Sequence, residues 1–565
     1  MKKNYLFLSS ILLLTTLSGC SLTPSRTNTT PTPKPTPSTS IPEDSLKLSL
    51  SLSSMNLKLS SSKNIKAEVS EGASISWTLS KDGVVSLDKN SGTSINVTGL
   101  SVGTVILTAK ATKGKNSVSK TCTITVKEED VDPVLSEDYL EFFNPTSKIE
   151  IELDFSNQSL YGLSVYGVSG YYEREMYHPC NAKITVNGKT TEIEEVGARM
   201  RGNTSRYYGF VDEEGNFQNR EHICHLKLNF SKAFASEEDN DYYYHSYSEA
   251  ELKARDKRRF ADMKKIDLKW NKNYDPSFTK EIYALNAFNE EGLLAQRATL
   301  VNLTVKTEND SITMTYMALE AVDKQLIKKR MPIDEVDGDL YKCTYGSYGR
   351  PDLTDSSLTG VETEYYNPTY CLKTNEKTSD CSVIKNFIDT TCITGPAEEV
   401  KPLIDPLLNK EQYIKYCALS WVVGNPDDLR NNYNNYYLYF SDFDDRAYFL
   451  TYDNDRVFGI LKDWPIDTSN IDPDYVYAAG SNDEWCYVPL LQRTIIPGSN
   501  NSWPIIEEYH SLYIEKCYEY AEKYLDEEKF EEFSNQFYYS SKYYGSYKGN
   551  MSFRDYAVIK KGTLI

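Results

Sequence analysis

Acids and amides crowd two short stretches of this chain. Gly424-Asn425-Pro426-Asp427-Asp428-Leu429-Arg430-Asn431-Asn432-Tyr433-Asn434-Asn435 runs into Tyr436-Tyr437-Leu438-Tyr439, and Thr451-Tyr452-Asp453-Asn454-Asp455-Arg456 closes a second apolar run. Carboxylates and carboxamides at the tips of two adjacent strands supply the oxygen ligands that Mg²⁺ takes, with substrate phosphates completing its shell. Asp453-Asn454-Asp455 has some of the alternation of a calcium loop, but no Gly and Glu follow at EF-hand positions, which disfavours that site.

Three further segments carry weaker signals. Ala198-Arg199-Met200-Arg201-Gly202-Asn203-Thr204-Ser205-Arg206 is a small-residue turn among three arginines. Its backbone N–H groups can hold phosphate oxygens, although most Gly-Asn hairpin turns need no ligand. In His225-Leu226-Lys227-Leu228-Asn229-Phe230, the apolar residues point one way and Lys227 the other. A strand lysine facing a cleft can pair with a phosphate; one facing solvent has no such role. Glu281, with Leu285 and Phe288 on one side of a helix, is an acid that can hold Lys227 through a charge-assisted hydrogen bond.

The elements that position these residues follow from periodicity. Leu46 to Val126 alternates throughout, as in Ile75-Ser76-Trp77 and Val105-Ile106-Leu107, and predicts an all-β immunoglobulin-like sandwich over 46–127. The acidic run Glu128 to Pro133 reads as a linker, and a larger α+β domain begins near Leu135. Strands such as Lys148 to Leu153 and Ala182 to Val186 precede a helix predicted over about Ser277 to Glu291. Helical spacing then dominates over Lys410 to Val422 and Trp503 to Phe537, around strand-like Tyr436 to Tyr439 and Ala447 to Thr451. Strands with one helix, then mainly helices, predict two lobes, about 135–325 and 326–565, with a cleft between them.

Two resemblances extend this reading. Ile75-Ser76-Trp77, Val84 to Leu87 and Gly103 to Ala109 are similar to the bacterial Ig-like group 2 repeats of cell-surface proteins, for which a spacer is the plainer role than glycan binding. From about Leu135 onward the chain resembles the spore-coat CotH kinases, which have an atypical protein-kinase-like fold. The likeness rests on Arg199 to Ser205, His225 to Phe230, Asp275-Pro276-Ser277-Phe278, Gly338 to Lys342, Asn425-Pro426-Asp427, Asn435 to Tyr439 and Tyr452 to Gly459. It implies that Lys227 contacts ATP phosphates and is positioned by Glu281, and that Arg201, Gly202, Asn203, Thr204 and Ser205 form the phosphate-covering turn. Glu320 and Asp323 would lie near the hinge. Asp427 would accept the proton of the substrate hydroxyl, Asn435 and Asp453 would bind Mg²⁺ or Mn²⁺, and Asp455 would assist.

The spacing departs from ordinary kinases, which place the metal-binding Asn about five positions after the catalytic Asp. Asp427 and Asn435 are eight apart, so Asp428 can stand in for Asp427, and Asn432 or Asn434 for Asn435. There is no His-Arg-Asp triplet.

Residues 1–20 set the address. Lys2 and Lys3 precede an apolar run from Leu6 to Leu17 that ends in Leu17-Ser18-Gly19-Cys20, which resembles a lipobox whose Cys20 becomes lipid-modified after cleavage. The run is shorter than the ~20 residues of a spanning helix. Residues 21–45 interleave Thr, Ser and Pro and read as an extended tether. The expected setting is therefore extracytoplasmic and membrane-anchored. Ten further cysteines show no CxxC; buried free thiols are the plainer expectation, against pairing of Cys180 with Cys224 or Cys343 with Cys371.

The 565 residues carry 40% hydrophobic and 25% charged residues, as a globular multidomain chain does, and a mean hydropathy of −0.53 excludes a multi-span membrane protein. A net charge of −19 repels phosphate backbones and argues against nucleic acid as a partner. The main expectation is a surface lipoprotein that transfers the γ-phosphate of ATP to Ser or Thr of a surface, coat or secreted protein. Two rivals stand beside it: a binding-only adhesion protein, and a kinase-like enzyme that transfers AMP or activates a carboxylate. Tyr is also in excess, 44 against 20 Phe. Tyr436, Tyr437, Tyr439 and Tyr452 flank the acidic motifs, while Tyr242 to Tyr244 and Tyr538-Tyr539 lie outside every motif.

Overall fold

Alternating apolar residues build the first eight strands: β1 (Leu48–Leu50), β2 (Ser54–Lys58), β3 (Ser62–Val69), β4 (Ser74–Leu79), β5 (Val85–Leu87), β6 (Ser94–Gly99), β7 (Gly103–Lys113) and β8 (Asn116–Lys127). They pair into two four-stranded sheets, β1-β3-β6-β5 and β2-β8-β7-β4. Ile65, Ile95 and Val97 from one sheet and Trp77, Leu107 and Ile124 from the other fill a single core. The computed structural model describes residues 46–127, 132–166, 176–202, 205–235, 243–332, 335–346, 349–361, 368–460, 473, 488–497, 502–539 and 549–562. Cys20, the tether, most of the acidic linker, Asn203, Thr204, Tyr242 and Cys486 lie outside these residues.

Seven strands then close into a barrel: β9 (Ile149–Asp154), β10 (His178–Val186), β11 (Lys189–Met200), β12 (Leu226–Asn229), β13 (Lys265–Lys269), β14 (Ala298–Lys306) and β15 (Ser311–Glu320). The order around it is β10-β11-β12-β13-β15-β14-β9, closed by parallel pairing of β14 with β9. Because side chains alternate along a strand, Leu226, Leu228, Ile266 and Leu268 fill the interior. Lys227, Asp267 and Lys269 are therefore left on the outer face, where Lys227 sits opposite Asp267 in the β12–β13 register.

The helix Lys280–Glu290 covers part of that outer face, with Ile282 and Leu285 packed on Leu300, Met317 and Leu319. It begins three residues later than its apolar pattern suggests because Asp275 caps a turn first. The Asp275 carboxylate accepts from the Ser277 N–H and hydroxyl and from the Lys280 N–H.

Strands β16 (Asp339–Cys343), β17 (Tyr370–Leu372), β18 (Tyr436–Phe440) and β19 (Ala447–Thr451) form a sheet in the order β17-β16-β18-β19. One face, with Tyr341, Tyr436, Leu438 and Phe449, joins the helical core. The other, with Leu340, Tyr437, Tyr439 and Leu450, packs on Leu326 and Met331. Helix Lys410–Val423 is buried on nearly all sides, which is why it lacks a polar stripe. Asn409 caps its start, and Gly424, at φ 61°, ends it and turns the chain into the acidic loop. The C-terminal helical run divides into Glu507–Tyr524 and Glu527–Ser534, because Asp526 starts a new helix by accepting from the Lys529 N–H.

Much of the tyrosine excess is structural: Tyr413, Tyr416, Tyr436, Tyr509 and Tyr513 are fully buried in this core. All nine described cysteines are free, and seven of them are buried. The first eight strands contact the segment before β16, with Lys58 Nζ 2.7 Å from Glu335 Oε1, and the turn after β18, with Lys63 Nζ donating to the Phe443 carbonyl at 3.1 Å.

Candidate functional site

Lys269 is the centre of the cleft. Its Nζ lies 2.7 and 2.9 Å from the two carboxylate oxygens of Glu281 and 3.1 Å from Asp453 Oδ1. Glu281 is one helical turn from Leu285, whose packing on the barrel aims the carboxylate at β13. Burial alone would discharge the ammonium, but Glu281 and Asp453 together raise its pKa, so the charged form holds. The expected partnership of Lys227 with Glu281 is therefore corrected. The β12–β13 register sets Lys227 against Asp267, at 3.0 Å, and Lys269, two residues further along β13 on the same face, takes Glu281 instead. The signal was present in Ile266-Asp267-Leu268-Lys269, which alternates as Leu226 to Asn229 does and ends in a lysine upstream of Glu281.

Asp453 follows β19 with φ 54°. Burial works against its ionisation, yet Lys269 and Arg201 outweigh that and hold the carboxyl well below the usual carboxylate range. Burial, reinforced by the neighbouring Asp453, pushes Asp455 up to about 7. The two acids are thus unequal: one is held as an anion by its cations and the other is pushed towards its neutral form. His225 is buried and its Nε2–H donates to the Trp270 carbonyl at 3.2 Å; desolvation and the cations Lys269 and Arg201 keep it neutral.

Across from Lys269, the loop after Gly424 converges on Asp427. Asn432 and Asn434 donate to its Oδ1 at 2.6 and 3.0 Å, and Asn435 donates to its Oδ2 at 2.8 Å. Asn425 ties this loop to the other acidic segment: its Oδ1 accepts from the Asp427 N–H and its Nδ2 donates to the Asp453 carbonyl. Asp427 is partly exposed, whereas Asp428 is buried and accepts from both the backbone and side-chain N–H of Asn431. Of the two adjacent acids, Asp427 is the more exposed and Asp428 braces the loop. Asn434 is also committed, because its Oδ1 accepts from the Tyr345 N–H at 2.7 Å.

Two other expected contacts stand elsewhere. Glu320 is 1% exposed and accepts from Arg330 Nη2 at 2.7 Å, and Arg330 in turn donates to the Tyr139 phenol. On β15 it shares the face of Ala318, which belongs to the barrel interior, so it is not a ligand-facing residue. Arg201 Nη2 donates to the Tyr452 phenol at 2.9 Å, and its Nε is 3.5 Å from Asp267. Ser205 closes the following turn on itself by donating to the Arg201 carbonyl, and Gly202, at φ 85°, has no room for a Cβ beside that hydroxyl. Asp323 caps the short helix Lys324–Ile327 by accepting from the Gln325 N–H. A cleft of about 330 Å³, open solvent included, lies beside Lys269 and Glu281 and is lined further by Trp270, Lys272, Asn273 and Asp455.

A fixed lysine, a fixed aspartate beside it and an amide-held aspartate opposite are the parts of a site for phosphate chemistry. Oxygen donors from Asp453 and Asn435 suit a hard divalent cation that keeps waters and substrate phosphates, and no cluster of three or more His, Cys, Asp or Glu exists among the described residues to hold a metal without them. The chain belongs to the CotH kinase protein family, which matches residues 235–539, more than half of its length. Lys269, Glu281, Asp427, Asn435 and Asp453 fall inside the matched span, and Arg201 and Lys227 precede it. The curated proteins contain no match to the chain. Solved structures similar to part of it include a chimeric titin Z1Z2 (16% identity, 14% of this chain and 95% of that one, TM-score 0.13). A PKD domain from KIAA 1837 protein is another (26% identity, 14% and 86% covered, TM-score 0.13). Likenesses of that size carry no argument about fold or function.

Proposed function

We propose that this protein is an ATP-dependent phosphotransferase that phosphorylates Ser or Thr of a surface, coat or secreted protein. The observation that supports it most is the chain Glu281–Lys269–Asp453, which joins a helix acid, a strand lysine and a strand-end aspartate within 3.1 Å contacts. Kinases require such a lysine–glutamate pair and a metal-binding aspartate together. Glu281 orients Lys269, which contacts the phosphates of the donor. Asp427, aimed by three carboxamides, receives the proton of the acceptor hydroxyl as the new O–P bond forms and the γ-phosphorus bond to the β,γ-bridging oxygen breaks, releasing ADP. Asp453 and the Oδ1 of Asn435 would hold Mg²⁺ or Mn²⁺, which when bound neutralises charge on the transferring phosphoryl group. In this reading the first eight strands are an Ig-like spacer, and Cys20 with residues 21–45 ties the enzyme to the outer face of a membrane.

The test is label transfer. The purified chain is given ATP labelled at the γ- or the α-phosphate, Mg²⁺ or Mn²⁺, and a serine- and threonine-rich acceptor, beside Asp427→Ala and Asp453→Ala. Transfer of γ-label, abolished by both substitutions, is the expected result. Transfer of α-label alone identifies an AMP transferase, and nucleotide-independent binding to surfaces identifies an adhesion protein.

A further inference from the structure

One short segment near the end of the chain touches the backbone behind both acidic motifs. Asn550 Nδ2 donates to the Tyr274 carbonyl at 2.6 Å and to the Asn273 carbonyl at 3.4 Å. Asn273 lines the cleft, and its own Nδ2 donates to the Asp455 carbonyl at 2.7 Å. The Met551 N–H donates to the Gly459 carbonyl at 2.8 Å. Ser552 then caps the helix Phe553–Lys561, whose Tyr556 phenol donates to the Val422 carbonyl at 2.8 Å, just before Gly424 turns the chain toward Asp427. Lys280 joins this segment to the helix that carries Glu281. It is 3% exposed, and its Nζ donates to the Phe458 carbonyl at 3.0 Å and to the Met551 carbonyl at 2.6 Å. Burial lowers its pKa, opposed by the charge of Asp275. A cation withdrawn from water to meet neutral carbonyls contributes less to stability than a packed apolar side chain would. What it holds is a strained turn: Phe458 has φ 48° and Gly459 φ 70°, and a bulky residue in that region persists only where its surroundings fix it.

We propose that Lys280 and Asn550 are positioning residues for this site. Lys280 fixes the turn that follows Asp453 and Asp455 against the helix of Glu281, and Asn550 fixes the cleft wall at Asn273, which in turn holds the Asp455 backbone. Both act through carbonyls rather than on the acids themselves, so the segment around Met551 serves as a clasp that keeps the acids, the helix and the wall in one register. The effect on turnover rests on the phosphotransfer function proposed above; the bracing of Asp453 to Gly459 does not.

The test combines γ-label transfer, thermal melting and amide hydrogen exchange on the full chain. Lys280→Met is expected to melt no lower than the wild type, because an apolar side chain replaces a buried cation, yet to lose about tenfold to a hundredfold in kcat through misplacement of the acids. Asn550→Ala is expected to lower kcat with the KM for ATP changed less than twofold, since the Lys269–Glu281 contact is untouched. Asn550→Asp, which sets an oxygen against two carbonyls, is expected to lose more than Asn550→Ala. Exchange, which needs no turnover, is expected to quicken at least tenfold over residues 453–460 in Lys280→Met and Asn550→Ala and to stay unchanged in the barrel strands. A kcat within twofold of wild type in both variants, a fall that only tracks the loss of folded protein, or unchanged exchange over 453–460 overturns the inference. A wild-type chain that transfers no γ-label, with exchange altered as expected, overturns the proposed function and leaves the clasp standing.

Discussion

Lys269→Met and Lys227→Met make a matched pair of perturbations, since both lysines lie on the same face of adjacent strands. Lys269 is 4% exposed and balances Glu281 and Asp453 together. Its removal leaves two buried carboxylates facing each other, and breaking a buried pair from one side costs about 3–5 kcal/mol. Lys227 is 19% exposed, and its partner Asp267 keeps Arg201 at 3.5 Å, so its removal is expected to cost about 1–2 kcal/mol. Urea unfolding of Lys269→Met, Glu281→Gln and the double variant measures the coupling directly. The double variant should regain most of the stability lost in Lys269→Met, giving a coupling of about 1–3 kcal/mol. It should not regain turnover, because a group that stabilises charge on the transferring phosphoryl is gone, a loss of about 10²–10³ in kcat. Lys227→Met should lower kcat less than tenfold, its effect appearing in KM. A coupling near zero, or a larger kcat loss for Lys227→Met than for Lys269→Met, would refute the assignment of Lys269.

Three other outcomes follow from the geometry. Burial pushes Asp428 up to about 7, so its stabilising neutral form is complete below about pH 4 and is lost as pH rises through 7. The shift is worth about 4 kcal/mol at most, and Asp428→Asn should flatten the pH dependence of unfolding free energy between pH 5 and 8 and raise stability at the alkaline end. Gly424→Ala sets a Cβ at φ 61° against the Tyr556 phenol oxygen, which should cost about 1–3 kcal/mol by thermal unfolding and, by displacing Asn425 to Asp427, reduce label transfer. Glu320→Gln breaks the buried contact with Arg330 and should cost about 2–4 kcal/mol, while ATP affinity measured by calorimetry stays unchanged because the carboxylate does not face the cleft.

Strand and helix identities were legible where a single periodicity governed a segment. Ala447 to Thr451, an apolar strand-like run, is a strand over those residues, and Lys410 to Val422 is a helix to within one residue. The inward and outward faces around Lys227 were readable for the same reason. The partner of Glu281 was not, because Lys227 and Lys269 both sit in alternating runs and only the β12–β13 register decides which one reaches the helix. The pair Asp427-Asp428 was ambiguous in kind: adjacent carboxylates have no periodicity to separate them, and burial in the completed loop distinguishes the exposed from the enclosed one. Glu320 misled because an acid at a strand end is consistent with either face of the sheet, and the arginine that claims it lies beyond the strand, at 330. Tyrosine counts could not separate rings beside the acidic motifs from rings that fill the helical core, since both use the same amphipathic side chain.

The barrel's closure has a kinetic consequence. Antiparallel neighbours such as β10 and β11 are joined by a tight turn, but β9 and β14 meet in parallel, pairing Glu150 with Asn302 across about a third of the larger domain. Such a long-range contact carries the largest loop entropy and is expected to form last. In the cyclic order β10-β11-β12-β13-β15-β14-β9, β12 is three strands from that seam in either direction. The slowest pairing therefore lies diametrically opposite the strand that presents Lys227 and flanks β13, and a barrel still open at its seam already carries the wall on which the cleft is built.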